Sequence, residues 1–335
     1  MEIVANVSGS FVLLGLVEME MQKYLYFPFF TVIYLFTLMI NSIIVLVVLK
    51  EKTLHEPMYI LIASLVFNGI FGSSSFFPKL IVDLITSSKT ISHSECLIQA
   101  FCITTFALLE MSTFTVMAYD RYLAICQPLQ YSTLMTNAKV LRITATCWVT
   151  AFIFVFITIL MAWRLSLCGN KINSIYCDNM SFIVLSCLDA LVNRIYTAVV
   201  TSSYFSITIL VTVFSYFRIF IVCLRISKES RQKAIHTLVT HLLNFSIFLM
   251  GFLFVFLRYR LEAVNLPLMA HVLLSVTPLV FPPLLNPLIY GIRTHALKMK
   301  VVQYLQILNE GPKWPNFQMK LSSKFVKIVK HKEVH

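Results

Sequence analysis

Residues 97–126 read LIQAFCITTFALLEMSTFTVMAYDRYLAIC, and this stretch decides the fold. Between Leu97 and Tyr119 the only charged residue is Glu110. An α-helix needs about 20 predominantly apolar residues to cross the hydrocarbon core of a bilayer. The charged pair Asp120-Arg121 follows where such a helix would reach the polar headgroups. The stretch therefore predicts a transmembrane helix with two opposite charges at one membrane edge.

The composition of the whole chain agrees with a membrane protein. Of the 335 residues, 58% are apolar and 13% are charged, whereas a soluble domain averages roughly 45–50% and about 25%. A soluble globule with so little charge could not cover its own core. The same values exclude a disordered chain, a collagen-like fibre and a disulfide-stabilised mini-protein. A nucleic-acid-binding protein would carry its basic residues on a polar domain, and the sequence predicts none here. We therefore interpret the net charge of +12 as a signal of membrane topology.

Six further apolar windows occur along the chain. Together with the stretch above they predict an all-α membrane protein, a bundle of seven transmembrane helices near residues 24–49, 57–85, 97–126, 140–161, 195–224, 234–257 and 266–291. We interpret the first window as a retained helix, because no basic segment precedes it and it is too long for a cleaved leader.

The charges between the windows predict the orientation. With the N-terminus outside, inner segments hold 19 of the 27 lysines and arginines, as the positive-inside rule requires. The chain then divides into an extracellular N-terminus, the bundle, a short amphipathic juxtamembrane helix and a basic cytoplasmic tail, at residues 1–23, 24–291, 292–310 and 311–335. The third part has an apolar stripe typical of a helix on the membrane surface, formed by Leu297, Val301, Val302, Leu305 and Leu308.

The predicted outer side carries sites for oxidation and glycosylation. The sequons at Asn6 and Asn179 fall there, and Asn6 is the expected acceptor. Four cysteines face the same oxidising compartment, namely Cys96, Cys168, Cys177 and Cys187. They allow three pairings, and the residues alone do not choose among them. In each case the loop between the fourth and fifth helices becomes a lid over the bundle.

Short motifs occur along the chain in one order and spacing: FVLLGL at 11–16, LHEPMY at 54–59, MAYDRYLAIC at 117–126, KA at 233–234 with THL at 240–242, and PLLNPLIY at 283–290. They resemble the motifs of vertebrate olfactory receptors, within the rhodopsin-like G protein-coupled receptors, over about residues 8–308. Thr294 and the Asn68-Gly69 pair resemble the fish branch of that family. The resemblance implies a plasma-membrane receptor that binds small odorants from outside and activates a stimulatory heterotrimeric G protein, which raises cAMP. It implies contact with lipid and neither a cofactor, a catalytic activity nor a nucleic-acid partner.

The resemblance also implies an activation switch, made of Asp120, Arg121, Tyr122, Tyr216, His241, Asn286, Pro287 and Tyr290. An unpaired charge at the membrane edge costs several kcal/mol, so we expect Asp120 to hold Arg121 at rest and to release it toward a partner protein. In the alternative interpretation these two charges only satisfy one another and His241 is a buried, hydrogen-bonded histidine. Pro287 permits a kink, which is either a moving part or static.

The implied ligand pocket lies in the outer half of the bundle, at Ile103, Thr104, Ala107, Leu108, Thr201, Tyr204, Phe252, Val255, Phe256, Arg260 and Leu279. A guanidinium at Arg260 would clamp a carboxylate or sulfonate, or it would only mark the membrane boundary. For the other positions the alternative is ordinary helix packing. We expect the family's disulfides to be Cys96–Cys177 and Cys168–Cys187.

Glu110 is the deepest carboxylate of the predicted bundle and therefore a functional candidate. Rhodopsin-like receptors usually place an aspartate beside it on the second helix, where this chain has Gly69. A sodium site at Glu110 is thus a weak candidate, no other metal site is expected, and a hydrogen-bonded structural Glu110 is favoured.

Other functions fit the sequence less well. A non-olfactory chemosensory receptor is the nearest alternative. A transporter or channel would show repeats or several intramembrane charges, and an enzyme would show a metal-spaced His/Cys cluster, a Gly-rich phosphate loop or a nucleophile elbow. Amine receptors and opsins also fit poorly. Amine receptors carry an aspartate where this chain has Ile103, and opsins bind retinal through a lysine that the predicted seventh helix lacks.

Overall fold

The computed structural model describes residues 9–187, 190–225, 228–258 and 268–310. We number the helices in chain order as α1 (Leu14–Met19), α2 (Lys23–Lys50), α3 (Pro57–Thr86), α4 (His93–Cys126), α5 (Pro128–Leu134), α6 (Asn137–Trp163), α7 (Asn179–Val184), α8 (Leu191–Cys223), α9 (Lys228–Arg258), α10 (Leu268–Arg293) and α11 (His295–Glu310). The strands are β1 (Ser10–Leu13), β2 (Thr90–Ser92) and β3 (Lys171–Ile172).

The long helices α2, α3, α4, α6, α8, α9 and α10 confirm the predicted seven-helix bundle. Their ends differ from the apolar windows because polar residues cap them outside the hydrocarbon. At the start of α4, the Ser92 hydroxyl accepts from the Glu95 N–H, and the Glu95 carboxylate accepts from the Ser92 N–H at 3.0 Å. Such a capping box satisfies two donors that a helix start leaves unpaired. At the start of α6, the Thr136 hydroxyl accepts from the Lys139 N–H.

Within the described residues, five segments are long and apolar enough to cross a membrane: Leu14–Lys50, Pro57–Thr86, His93–Cys126, Asn137–Trp163 and Leu191–Cys223. In α9 a shorter apolar stretch covers Leu242–Val255. Large apolar side chains such as Val32, Phe156 and Leu210 are exposed on the outside of the bundle, as a lipid environment requires.

Helix α4 lies at the centre of the bundle and contacts α3, α6, α8 and α9. Helix α10 completes the ring by packing against α2, α3 and α9. Close approach is permitted by small residues: a Cβ at Gly69 would lie 3.3 Å from both the Asn41 side chain and the Pro283 Cα. The Asn41 amide donates to the Pro283 carbonyl at 2.8 Å, which ties α2 to α10.

A small three-stranded sheet, which the sequence analysis did not predict, lies at the end of the bundle that the charge distribution assigns to the outside. We call this the outer end and the opposite end the inner end. Strand β1 pairs antiparallel with β2 and parallel with β3, in the order β2-β1-β3. The side chain of Phe11 is buried beneath it and contacts the rings of His93 and Phe182 edge-on or tilted. The sheet therefore joins the N-terminal segment to the loop between α3 and α4 and to the long loop between α6 and α8.

Two disulfides hold the long loop between α6 and α8. Cys96 at the start of α4 is bonded to Cys177, and Cys168 is bonded to Cys187. The first bond draws the loop across the bundle, and the second closes the loop on itself. The Cys177 N–H donates to the Gln99 side chain of α4 at 2.8 Å, which adds a second link between loop and bundle.

At the inner end, α11 follows α10 as an amphipathic helix. Leu297 is fully buried, while Val302 and Leu305 are exposed, as expected of a helix whose apolar side rests on lipid. Lys300 pairs with Glu51 at 2.8 Å, and the Lys50 ammonium lies 4.9 Å from the centre of the Tyr304 ring. These contacts fix α11 to the inner end of α2.

Candidate functional site

A cleft of about 730 Å³ opens in the outer half of the bundle, between α4, α8, α9 and α10. We call it the outer cleft and define it by its lining: Ile103, Thr104, Phe106, Ala107, Tyr176, Asp178, Asn179, Met180, Thr197, Thr201, Phe248, Phe252, Val255, Pro278 and Leu279. Most of these side chains are apolar, and the polar ones come mainly from the long loop and α8.

The structure brings most of the predicted ligand residues to this cleft, which Ile103, Thr104, Ala107, Thr201, Phe252, Val255 and Leu279 line. Leu108 and Tyr204 are not part of its lining. The Tyr204 hydroxyl instead donates to the Leu108 carbonyl at 2.9 Å and contacts the Ser112 hydroxyl, so it fastens α8 to α4. The side chain of Phe256 and the whole of Arg260 lie outside the described residues.

The long loop contributes cleft residues that the sequence analysis missed. Asp178 caps α7, since its Oδ1 accepts from the Ser181 N–H at 2.8 Å and from the Ser181 hydroxyl at 2.6 Å. Asn179 donates to the Thr197 hydroxyl of α8 at 3.2 Å. The neighbouring Cys177 was the available signal, because a disulfide to α4 must carry its neighbours over the bundle.

The position of Asn179 also decides its use as a sequon. Its side chain is 7% exposed and is bonded to Thr197 inside the cleft. A glycan on the amide nitrogen would have to displace this hydrogen bond and the neighbours that bury the side chain. Asn6, the expected acceptor, lies outside the described residues.

A buried polar network lies below the outer cleft, at the middle of the bundle. The Glu110 side chain is fully buried, and its two oxygens accept from the Asn286 amide at 2.6 Å and from the Asn68 amide at 2.8 Å. The Asn244 amide donates to the side-chain oxygen of Asn286, its Oδ1, at 3.1 Å. Asn68 also donates to the Phe106 carbonyl at 3.1 Å, and the ring of that phenylalanine lines the cleft. The network thus connects α3, α4, α9 and α10 directly beneath the ligand space.

The hydrogen bonds of Glu110 also bear on the sodium site that was considered there. Both Glu110 oxygens already accept N–H donors, and buried polar groups need such partners. Among the described residues, no group of three or more His, Cys, Asp or Glu is placed to hold a metal. The structure thus contains the hydrogen-bonded Glu110 that the sequence analysis expected.

At the inner end of α4, Asp120 is bonded to a tyrosine and not to Arg121, with which an ion pair was expected. The Asp120 carboxylate is 1% exposed and accepts from the Tyr131 hydroxyl of α5 at 2.8 Å. Among the ion pairs of the described residues there is none between Asp120 and Arg121. Burial and the Asp120 charge raise the pKa of Tyr131 above its usual value. The phenol therefore stays protonated at neutral pH and keeps donating.

The other predicted switch residues lie on α4, α8, α9 and α10, and two of them lie near Arg121. Tyr216 of α8 and Tyr290 of α10 lie in electrostatic range of the Arg121 guanidinium. Tyr122 is buried, and its ring lies edge-on to Phe214 of α8. Pro287 lies within α10, next to the buried Asn286. The side chain of His241 lies outside the described residues, although α9 itself passes through that position.

Comparisons with known proteins agree on one family. The family model described as olfactory receptor matches residues 30–307. Similar curated proteins include human Olfactory receptor 6Y1, 33% identical over 92% of this chain and 94% of the relative, and human Olfactory receptor 11A1, 35% identical over 92% and 98%. Mouse Olfactory receptor 5AP2 is 35% identical over 88% of this chain and 93% of its own length.

Proposed function

This chain belongs to the olfactory receptor family, and from that premise we propose how its bundle carries an odorant signal. It is an odorant receptor that acts through G proteins, a multi-pass protein of the plasma membrane and not an enzyme. The proposal concerns the finer points: which residues receive the odorant, how binding reaches the inner face, and what responds there.

The outer cleft is the odorant site in this proposal. The supporting observation is its position directly above the polar network: Phe106 lines the cleft with its ring and accepts from Asn68 with its carbonyl, and Asn68 donates to Glu110. Phe248 of α9 lines the cleft and meets the Phe106 ring edge-on. An odorant that displaces either ring shifts the balance of hydrogen bonds beneath it.

In this proposal the effect of odorant binding passes from Glu110 along α10 toward the inner end. Asn286 joins Glu110 to Asn244 of α9, and Tyr290 lies one helical turn further toward the inner end. Two packings of α9 and α10 around this network form the bistable element that a ligand biases. At the inner end, Tyr131 engages Asp120 and leaves Arg121 available to the G protein.

The orientation and the signalling class complete the proposal. The N-terminus, with an Asn6 glycan, lies outside, and the C-terminus lies in the cytoplasm beside lipid. The G protein is of the stimulatory type, so odorants raise cAMP. An acidic odorant needs a cationic partner, and Arg260 is the residue proposed for it.

Phe252→Ala tests the odorant site. The ring lies 4.5 Å from that of Phe205 and lines the cleft, so its removal is expected to raise the odorant concentration for half-maximal cAMP by roughly tenfold, or ~1.4 kcal/mol. The matched control is Phe156→Ala, whose ring is 57% exposed to lipid. Equal responses of the two variants across a panel of acids, amines and neutral volatiles, at equal surface expression, would remove the outer cleft from the proposal.

A further inference from the structure

A second cleft, separate from the odorant site, opens between α2 and α10. It measures about 930 Å³ together with the open space at its mouth, and it is lined on the α2 side by Tyr26, Phe29, Phe30 and Ile33. Helix α10 contributes five side chains between Val276 and Leu284, while Met19 and Ile175 close its outer end. We call it the lateral cleft.

The lateral cleft arises because α2 and α10 pack closely near the inner end and separate toward the outer end. They touch closely further in, where Asn41 is bonded to the Pro283 carbonyl and a Cβ at Gly291 would lie 3.1 Å from Ile44. Prolines lie within both helices further out, at Pro28 in α2 and at Pro278 and Pro282 in α10. Interior prolines remove ladder hydrogen bonds and bend a helix, and a gap results.

The mouth of the lateral cleft faces the hydrocarbon of the bilayer. Phe29 and Phe281 at its edge are 56% and 45% exposed. Val32, on the same outward side of α2, is 66% exposed. A ligand therefore enters from the membrane rather than from water.

The charge pattern selects an uncharged ligand. Among the described residues no charged side chain lines the cleft, and near its outer end Glu20 is paired with Lys23 at 2.8 Å and with Lys89 at 3.6 Å. Two lining residues carry hydroxyls, Tyr26 and Thr277. The Tyr26 hydroxyl donates to the Gln22 side chain at 2.9 Å, and its oxygen keeps a lone pair that accepts a further hydrogen bond. The Phe29 and Phe30 rings present flat apolar surfaces beside it.

We infer that the lateral cleft binds an uncharged membrane amphiphile of the sterol class, with its rigid ring system between α2 and α10 and its hydroxyl at Tyr26. A sterol matches the site in three respects, since it is dissolved in the bilayer, has a rigid apolar body and carries one hydroxyl. A phospholipid acyl chain would lack the hydroxyl and the rigid shape.

The site has a direct mechanical relation to the odorant site. Pro278 and Leu279 line the outer cleft, whereas Val276, Thr277 and Val280 line the lateral cleft. Residues 276–281 of α10 therefore form one wall between two cavities. A bound sterol supports this wall from behind, and this effect on odorant potency rests on the proposed function.

Photolabelling tests the binding site without any odorant or G protein. Full-length receptor is reconstituted in phosphatidylcholine vesicles that contain a photoreactive sterol, and the labelled peptides are sequenced. We expect label in α2 near Tyr26–Ile33 and in α10 near Val276–Leu284, displaced by unlabelled sterol. Ile33→Trp fills the cleft and is expected to reduce labelling about tenfold, whereas Val32→Trp, its lipid-facing neighbour, leaves labelling unchanged.

Equal labelling of the wild type and both variants, or label confined to other helices, would overturn the sterol site. If Ile33→Trp fails to fold, peptide sequencing of the wild type alone decides the question. The effect of the sterol on odorant potency is measured in cells. Sterol depletion should shift the odorant concentration for half-maximal response of the wild type about threefold and leave that of Ile33→Trp unchanged. A wild-type response that ignores sterol, with the label in place, would refute the coupling only.

Discussion

Single residues determine how tightly the bundle closes around the outer cleft and the network beneath it. Two amides donate to Glu110 and offset part of the cost of burying it, whereas an unpaired buried charge would be very expensive. Its importance was visible in the sequence as an isolated carboxylate. Its partners were not visible, because Asn68 and Asn286 meet it only after three helices have packed.

Gly72 of α3 provides the first prediction at this scale. A Cβ there would lie 2.3 Å from the Phe106 ring, so Gly72→Ala must displace a ring that lines the outer cleft. Overpacking of this kind costs typically ~1–3 kcal/mol. We expect a lower thermal stability of the purified receptor and an odorant potency reduced about tenfold.

Gly69→Ala is the control for Gly72→Ala. A Cβ at Gly69 meets its nearest neighbours only at 3.3 Å, so a smaller adjustment suffices, and those neighbours do not line the cleft. If both alanines had the same effect on odorant potency, the Phe106 ring would not be the part that matters.

Tyr131 provides the second prediction. Tyr131→Phe removes the hydrogen bond to Asp120 and allows this carboxylate to turn to Arg121. A hydrogen bond to a charged group contributes about 1.5–3 kcal/mol, so maximal odorant-evoked cAMP should fall several-fold, while the odorant concentration for half-maximal response changes little. Tyr119→Phe serves as control, since its ring packs on Tyr122 at 6.0 Å and no bond of its hydroxyl to a described residue is lost. An undiminished maximum in Tyr131→Phe would contradict this account.

At the scale of elements, hydropathy predicts the seven long helices because each must cross the same hydrocarbon thickness. It does not predict the outer sheet. The strands are two to four residues long, too short for a periodicity, and their pairing joins positions as distant as Val12 and Lys171. The loop residues of the outer cleft were missed for the same reason, since the fold of that loop depends on which cysteines pair.

The outer sheet leads to the third prediction. Phe11 is 1% exposed and packs edge-on against Phe182 behind the loop that closes the cleft. Phe→Ala in such a site costs about 3–5 kcal/mol. We expect Phe11→Ala to lower surface expression and the midpoint of thermal unfolding strongly, and Phe220→Ala, with a ring 54% exposed to lipid, to change neither. A stable Phe11→Ala receptor would indicate that the sheet is dispensable.

At the scale of the whole molecule, the outer cleft and Arg121 lie at opposite ends of α4, and the polar network lies between them. Composition and motifs establish this general plan, because a chain with so little charge and such an ordered set of motifs fits few other architectures. The ligand cannot be derived in the same way, since the cleft is mostly apolar and its shape depends on packing between four helices.

The most direct test of the account is odorant-stimulated nucleotide exchange on a purified stimulatory G protein, measured with the receptor in nanodiscs. Arg121→Ala should lose at least about tenfold in stimulated exchange while it still binds odorant. Arg142→Ala, an exposed arginine of α6, should match the wild type. Full stimulation by Arg121→Ala at normal receptor levels would contradict the claim that odorant binding in the outer cleft reaches the G protein through Arg121.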